Sequence, residues 1–112
     1  MFQAEPTSNP QIEVENPYKA LADAIRRGAK MTAQCKAVYY ERHSFTKPVS
    51  ATCAIGAAGL GIGLDPSLIG FTLKMMRAFP MIDSLFMRIT AMNDYQGLSR
   101  EAIADWVQSL GE

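Results

Sequence analysis

The sequence has little of what most active sites are built from. In 112 residues it contains one histidine, His43, and two cysteines, Cys35 and Cys53. A structural zinc site needs four Cys or His ligands at paired spacing, and a secreted disulfide scaffold of this size needs more thiols. Both are excluded, and two buried reduced thiols are expected. Asp65, Asp83, Asp94 and Asp105 are spread over separate segments without the alternation of a calcium loop, so no metal and no cofactor is expected. The longest apolar run, Cys53 to Leu64, holds four glycines and is twelve residues long, against about 20 for a membrane span. The opening Met1-Phe2-Gln3-Ala4-Glu5-Pro6 has neither the basic start nor the apolar stretch of a secretory signal. A cytoplasmic protein without a membrane partner is expected.

Net charge is also lacking: eleven Lys and Arg offset eleven Asp and Glu, so no whole-molecule field draws the chain onto nucleic acid or anionic lipid. The charges are unevenly placed, however. Residues 1–16 carry Glu5, Glu13 and Glu15 and no base, whereas 17–50 carry seven bases against Asp23 and Glu41. A solvated helix face neutralised by the acidic segments accounts for this. The alternative is a nucleic-acid contact through Arg26, Arg27, Lys30, Lys36, Arg42 and Lys47, with Lys19 beside them and Tyr39 and Tyr40 to stack on bases.

What is present suits one globular domain: 48% hydrophobic and 20% charged residues. Residues 1–16, with Pro6, Ser8, Asn9 and Pro10, gain too little by burial to order themselves and read as a flexible acidic arm before a helical domain at 17–112. Asn16-Pro17 is a cap followed by proline at the first helical position. Tyr18, Leu21, Ala22 and Ile25 share a face, which predicts a helix over 17–27 stopped by Gly28. Over 29–52 helix and strand signals compete, and the choice stays open. The reading adopted is a helical turn at 30–35 followed by a β-hairpin with strands near 37–41 and 48–52.

Ser50 or Thr52 can cap a central helix over 51–61, where Gly56, Ala57, Ala58, Gly59 and Gly61 leave one side bare for a neighbouring backbone. Asp65-Pro66 repeats the cap-plus-proline pattern and predicts a helix to Ala78 with a wide apolar arc. Ile82, Leu85, Phe86, Ile89 and Met92 predict the next helix over 81–93, with a turn at 93–97. Ser99 caps a last helix whose Ile103, Trp106, Val107 and Leu110 face one way. The expected fold is mainly α, a compact bundle of about five helices with a short β-hairpin near 37–52.

No catalytic set emerges. His43 lies in a polar loop with no nucleophile placed beside it; Cys53 at a helix start is the better thiol candidate, because a helix N-terminus favours a thiolate. Gly59-Leu60-Gly61-Ile62-Gly63 lacks the lysine of a phosphate loop and follows a helix rather than a strand. Leu98 to Val107 is similar to the first helix of a helix-turn-helix, but the chain ends at Glu112 and no recognition helix is expected after it.

Taken together, Thr52-Cys53-Ala54-Ile55-Gly56-Ala57-Ala58, Asn93-Asp94 and Ser99-Arg100-Glu101-Ala102-Ile103-Ala104-Asp105-Trp106 resemble a pattern in certain small uncharacterised bacterial and phage proteins. That pattern is a Cys-Ala-Leu-Gly-Ala-like helix start, an Asn-Asp turn and a capped Ser-x-x-x-Ile-Ala-x-Trp terminal helix. The resemblance covers about half the chain. It implies a bacterial or phage origin and a compact, mainly helical fold, and it transfers no activity and no catalytic residue.

The leading expectation is a non-enzymatic interaction or regulatory protein, a homodimer or a binder of another protein. It would use the apolar face of 66–92 through Leu68, Phe71, Met75, Met76, Phe79 and Phe86. The nucleic-acid reading is the alternative. A small ligand binder or enzyme around Cys53, His43 and Asn93-Asp94, which requires a pocket, is the third.

Overall fold

Asn16 and Pro17 open the first helix as expected. Asn16 Oδ1 accepts the Lys19 N–H at 3.0 Å, and Pro17 stands where no N–H is needed. The computed structural model describes residues 16–112; the acidic arm expected over 1–16 lies outside them except for Asn16. Helix α1 (Pro17–Ala29) runs two residues past the expected stop. Gly28 is not its terminator. It is buried inside the helix, where a Cβ would stand 1.8 Å from the Ala57 carbonyl oxygen, so glycine is what allows the two backbones to meet.

Three strands of two residues each follow: β1 (Ala33–Gln34), β2 (Tyr40–Glu41) and β3 (Ala51–Thr52). They form a sheet in the order β1-β3-β2, with β1 parallel and β2 antiparallel to β3. The expected hairpin is present as β2 and β3. The expected helical turn at 30–35 is corrected to a strand, because Ala33 donates to Ser50 O and Cys35 to Thr52 O across the sheet. Pairing with a segment seventeen or eighteen positions away outweighs the local helical signal.

Helix α2 (Ala54–Gly61) starts three residues later than predicted. Its cap is Cys53, whose Sγ accepts the Gly56 N–H at 3.4 Å, and neither Ser50 nor Thr52, which belong to the sheet. Residues 54–59 are all buried, so α2 is the central helix. Gly61 meets α1 as Gly28 meets α2, its Cβ position lying 2.0 Å from Ala24 O.

The helix expected to start at Asp65-Pro66 is also corrected. Asp65 Oδ1 accepts both the backbone N–H and the hydroxyl of Ser67, closing a local turn, and Gly70 at φ 86° resets the chain direction. Helix α3 (Phe71–Ala78) begins only then, and α4 (Ile82–Asp94) and α5 (Arg100–Ser109) follow. Ser99 caps α5 as expected, accepting Ala102 N–H at 3.0 Å. Of its predicted face, Ile103 and Val107 are fully buried and Trp106 partly so, whereas Leu110 is exposed.

Leu21, Ile25, Met75, Ile89, Ile103 and Val107 are the largest apolar side chains fully buried in the core that α1 to α5 share. Each contributes about 1.5–3 kcal/mol by leaving water. Among the described residues the fold is thus mainly helical, five helices with one small sheet. No helix among them is long and apolar enough to cross a membrane.

Candidate functional site

The parallel ladder between β1 and β3 breaks where its next hydrogen bond is due. Ala33 pairs with Ala51 and Gln34 with Thr52, and the Cys35 N–H donation to Thr52 O at 3.0 Å carries the register one step further. A regular ladder would continue with Ala54 N–H donating to Cys35 O. Instead the side-chain amide of Asn93 stands between them. Its Nδ2 donates to Cys35 O at 2.8 Å and its Oδ1 accepts Ala54 N–H at 3.1 Å, so the side chain substitutes for a peptide group. Asn93 is fully buried and fully bonded, because Oδ1 also accepts Gln34 Nε2–H at 2.9 Å and Nδ2 also donates to Asp94 Oδ1 at 2.8 Å. One amide therefore ends the sheet, starts α2 and fixes both to the last turn of α4.

Asp94 Oδ1 extends the network by accepting Ala37 N–H at 2.9 Å. Ala37 has φ 69°, the left-handed region that costs a non-glycine residue about 1–2 kcal/mol. The hydrogen bond to Asp94 offsets that cost and aims the 36–39 segment across the end of β3 toward β2. The result is a cavity of about 470 Å³, walled by Tyr39 and Tyr40, by Cys53 and Ile55, and by Phe86, Ile89, Asn93 and Asp94 of α4. The Tyr39 ring packs edge-on against Phe71 at 5.3 Å and Phe86 at 6.4 Å, centroid to centroid, which makes the wall aromatic.

Behind the sheet a buried guanidinium completes the polar core. Arg100 is 8% exposed and finds no carboxylate among the described residues. Nη1 donates to Thr32 Oγ1 at 2.9 Å and Thr52 Oγ1 at 3.0 Å; Nη2 donates to Thr32 O at 2.6 Å and Ala29 O at 3.3 Å. Ala29 is the last residue of α1, so the cation sits at the negative end of that helix dipole. Burial still lowers its pKa from the ordinary arginine value.

Both thiols are free and buried. Burial pushes the Cys35 thiol up to about 11, with Cys53 nearby adding to the effect; burial also raises Cys53, against the opposing Gly56 N–H. The cavity wall thus carries a protonated thiol at neutral pH rather than an activated nucleophile. His43 is exposed in the 42–50 loop and is not part of the cavity wall. Of the third expectation the structure brings Cys53, Asn93 and Asp94 together at a pocket and leaves His43 out.

The basic residues separate in the same way. Arg26 bridges α1 to α5, bonding Asp23 and Glu101 at 3.0 Å and Asp105 and Gln108 at 2.7 Å, while Arg27 donates to Gly61 O at 2.9 Å. Arg42 stacks over the rings of Tyr40 and Phe45. Lys30, Lys36 and Lys47 are exposed.

The apolar face of 66–92 divides too. Phe71, Met75 and Phe79 point into the core and Phe86 is half-buried against it, but Leu68 and Met76 are exposed, together with Ile69, Leu73 and Met87, which are not among the six expected interface residues. Ile69, at 99% exposure, is as open to solvent as a side chain can be. Of the two buried polar side chains here, Asn93 belongs to the third expectation and Arg100 to none, yet both had a sequence signal: Asn93 continues the Ile82, Phe86, Ile89 stripe, and Arg100 shares a face with Ile103, Ala104 and Val107. Compared with known proteins, the chain matches no family model, no curated protein and no solved structure.

Proposed function

We propose that the protein is a non-enzymatic interaction protein that self-associates through the outer side of α3 and the turn before it. The observation that carries this reading is that Leu68, Ile69, Leu73 and Met76, within α3 and the turn before it, stay exposed while Phe71, Met75 and Phe79 of the same stretch fill the core. Helix α3 has one inward row, Phe71 and Met75, continued by Phe79, and places Leu73 opposite it. Exposed apolar side chains grouped in this way mark interaction surfaces. A second copy presents the same apolar surface, and two-fold pairing of like patches is the commonest way to cover one. The resemblance to small bacterial and phage proteins implies an origin in such a cell.

The test is chromatography with light scattering on the wild type and on Ile69→Asp/Leu73→Asp. The wild type is expected at twice the 12.3 kDa chain mass and the variant at the chain mass with unchanged circular dichroism. A monomeric wild type overturns self-association.

A second reading rests on the cavity, whose apolar and aromatic wall with Asn93 and Asp94 at one end is the form of a small-molecule site. It predicts that 1-anilinonaphthalene-8-sulfonate or a similar apolar dye binds the folded wild type and that Ile55→Trp abolishes binding. The nucleic-acid reading keeps only Lys30, Lys36, Arg42 and Lys47, since Arg26 and Arg27 are engaged within the fold.

A further inference from the structure

We infer that Cys35 and Cys53 are a pair that closes to an intramolecular disulfide when a small-molecule disulfide enters the cavity. The strand register carries this inference. With Ala33 opposite Ala51 and Gln34 opposite Thr52, the Cys35 N–H bond to Thr52 O sets Cys35 opposite Cys53, each one residue past the end of its strand. Strands alternate their side chains, so Cys35 lies on the Ala33 side and Cys53 on the Ala51 side, which is one and the same sheet face. Adjacent strands run about 4.8 Å apart, within the roughly 4.4–6.8 Å between Cα atoms that a disulfide spans. The Asn93 amide opens the ladder only beyond this pair, between Cys35 O and Ala54 N.

The two thiols differ in access. Cys53 lines the cavity and its Sγ receives the Gly56 N–H at the start of α2; Cys35 does not line the cavity and turns its thiol toward Val38 O at 3.7 Å. Cys53 is therefore the attacking thiol and Cys35 the resolving one. Cys53 loses its proton to solvent and its sulfur attacks one sulfur of the small disulfide, forming a mixed disulfide and releasing one thiol. Cys35 then loses its proton and attacks Cys53 Sγ, which forms the Cys35–Cys53 bond and expels the second thiol. Two protein thiols are oxidised by two electrons, and one small disulfide is reduced to two thiols. Because burial holds both thiols protonated at neutral pH, exchange in the folded state is slow there and speeds up as pH rises.

The test compares two equilibria in reduced and oxidised glutathione, one with the chain refolded in buffer and one with it held in concentrated urea. Each mixture is quenched with acid and alkylated in denaturant, and the products are counted by intact mass and peptide mapping. The fold is expected to raise the fraction with a Cys35–Cys53 link, giving an effective thiol concentration at least about tenfold above that in urea. Cys35→Ala is expected to stop at the glutathione mixed disulfide on Cys53. An effective concentration in the folded state equal to or below that in urea overturns the proposal. So does a wild type whose only oxidised forms are mixed disulfides or disulfide-linked dimers.

Discussion

Asn93→Ala is the perturbation that bears hardest on the fold. The side chain is fully buried and satisfies four groups: Ala54 N–H, Cys35 C=O, Gln34 Nε2–H and one oxygen of Asp94. Gln34 Nε2 keeps its bond to Leu98 O at 2.9 Å, and Asp94 keeps that to Ala37 N–H, so these two are only weakened. Ala54 N–H and Cys35 C=O lose the partner that replaces the missing ladder bond. Each orphaned buried group costs about 1–3 kcal/mol, and the cavity left by the amide adds to that, so a loss of about 3–5 kcal/mol is expected. Against the ~5–15 kcal/mol total of an ordinary domain this removes a large share of the stability. Urea unfolding followed by tryptophan fluorescence and by circular dichroism measures it, and hydrogen exchange locates it: the Ala54 amide should lose protection before the centre of α1 does. A loss below about 1 kcal/mol with Ala54 still protected would refute the argument, because it would mean the two backbone groups pair directly once the wedge is removed.

Three further perturbations test separate parts of the fold. Gly28→Ala gains helix propensity but drives a methyl group into Ala57 O, and the resulting separation of α1 from α2 is expected to cost about 3 kcal/mol in urea unfolding. Ala37→Gly removes a left-handed strain of about 1–2 kcal/mol at the expense of about 0.5–1 kcal/mol of chain entropy, so thermal unfolding should move up slightly rather than down. The Lys19 ammonium, and Arg26 after it, hold the Asp23 carboxyl below its ordinary 3.8, against the opposing effect of burial. Its folded value lies below its unfolded one, so its contribution is whole above the ordinary carboxylate range and is lost as pH falls through the folded value. Asp23→Asn should accordingly flatten the acid limb of a stability-against-pH curve and leave the alkaline limb unchanged.

The parts legible in the sequence are those whose cause is local. Asn16-Pro17 and Ser99 cap helices because a side-chain oxygen meets an N–H three residues on, and the apolar spacing of 82–92 places α4 to within a residue at each end. The small residues of 54–61 correctly announced a closely packed central helix. What was not legible depends on distant partners. Strand β1 is two residues long and exists through β3; nothing within 30–35 distinguishes it from a helical turn. Asp65-Pro66 carries a helix-start pattern, yet the Ser67 hydroxyl takes the carboxylate first. The division of 66–79 into an inward row at Phe71, Met75 and Phe79 and an exposed remainder follows from where α3 starts, which the Asp65-Pro66 pattern places too early. Asn93 and Arg100 were readable as stripe positions, but a polar residue on an apolar stripe states a need without naming the partner that meets it.

The claim that the outer side of α3 is a self-association surface is tested most directly by sedimentation equilibrium of the wild-type chain over a wide dilution series. The expected mass falls from twice 12.3 kDa toward 12.3 kDa on dilution, with Leu73→Asp shifting the midpoint to higher concentration. A mass that stays at 12.3 kDa throughout contradicts it.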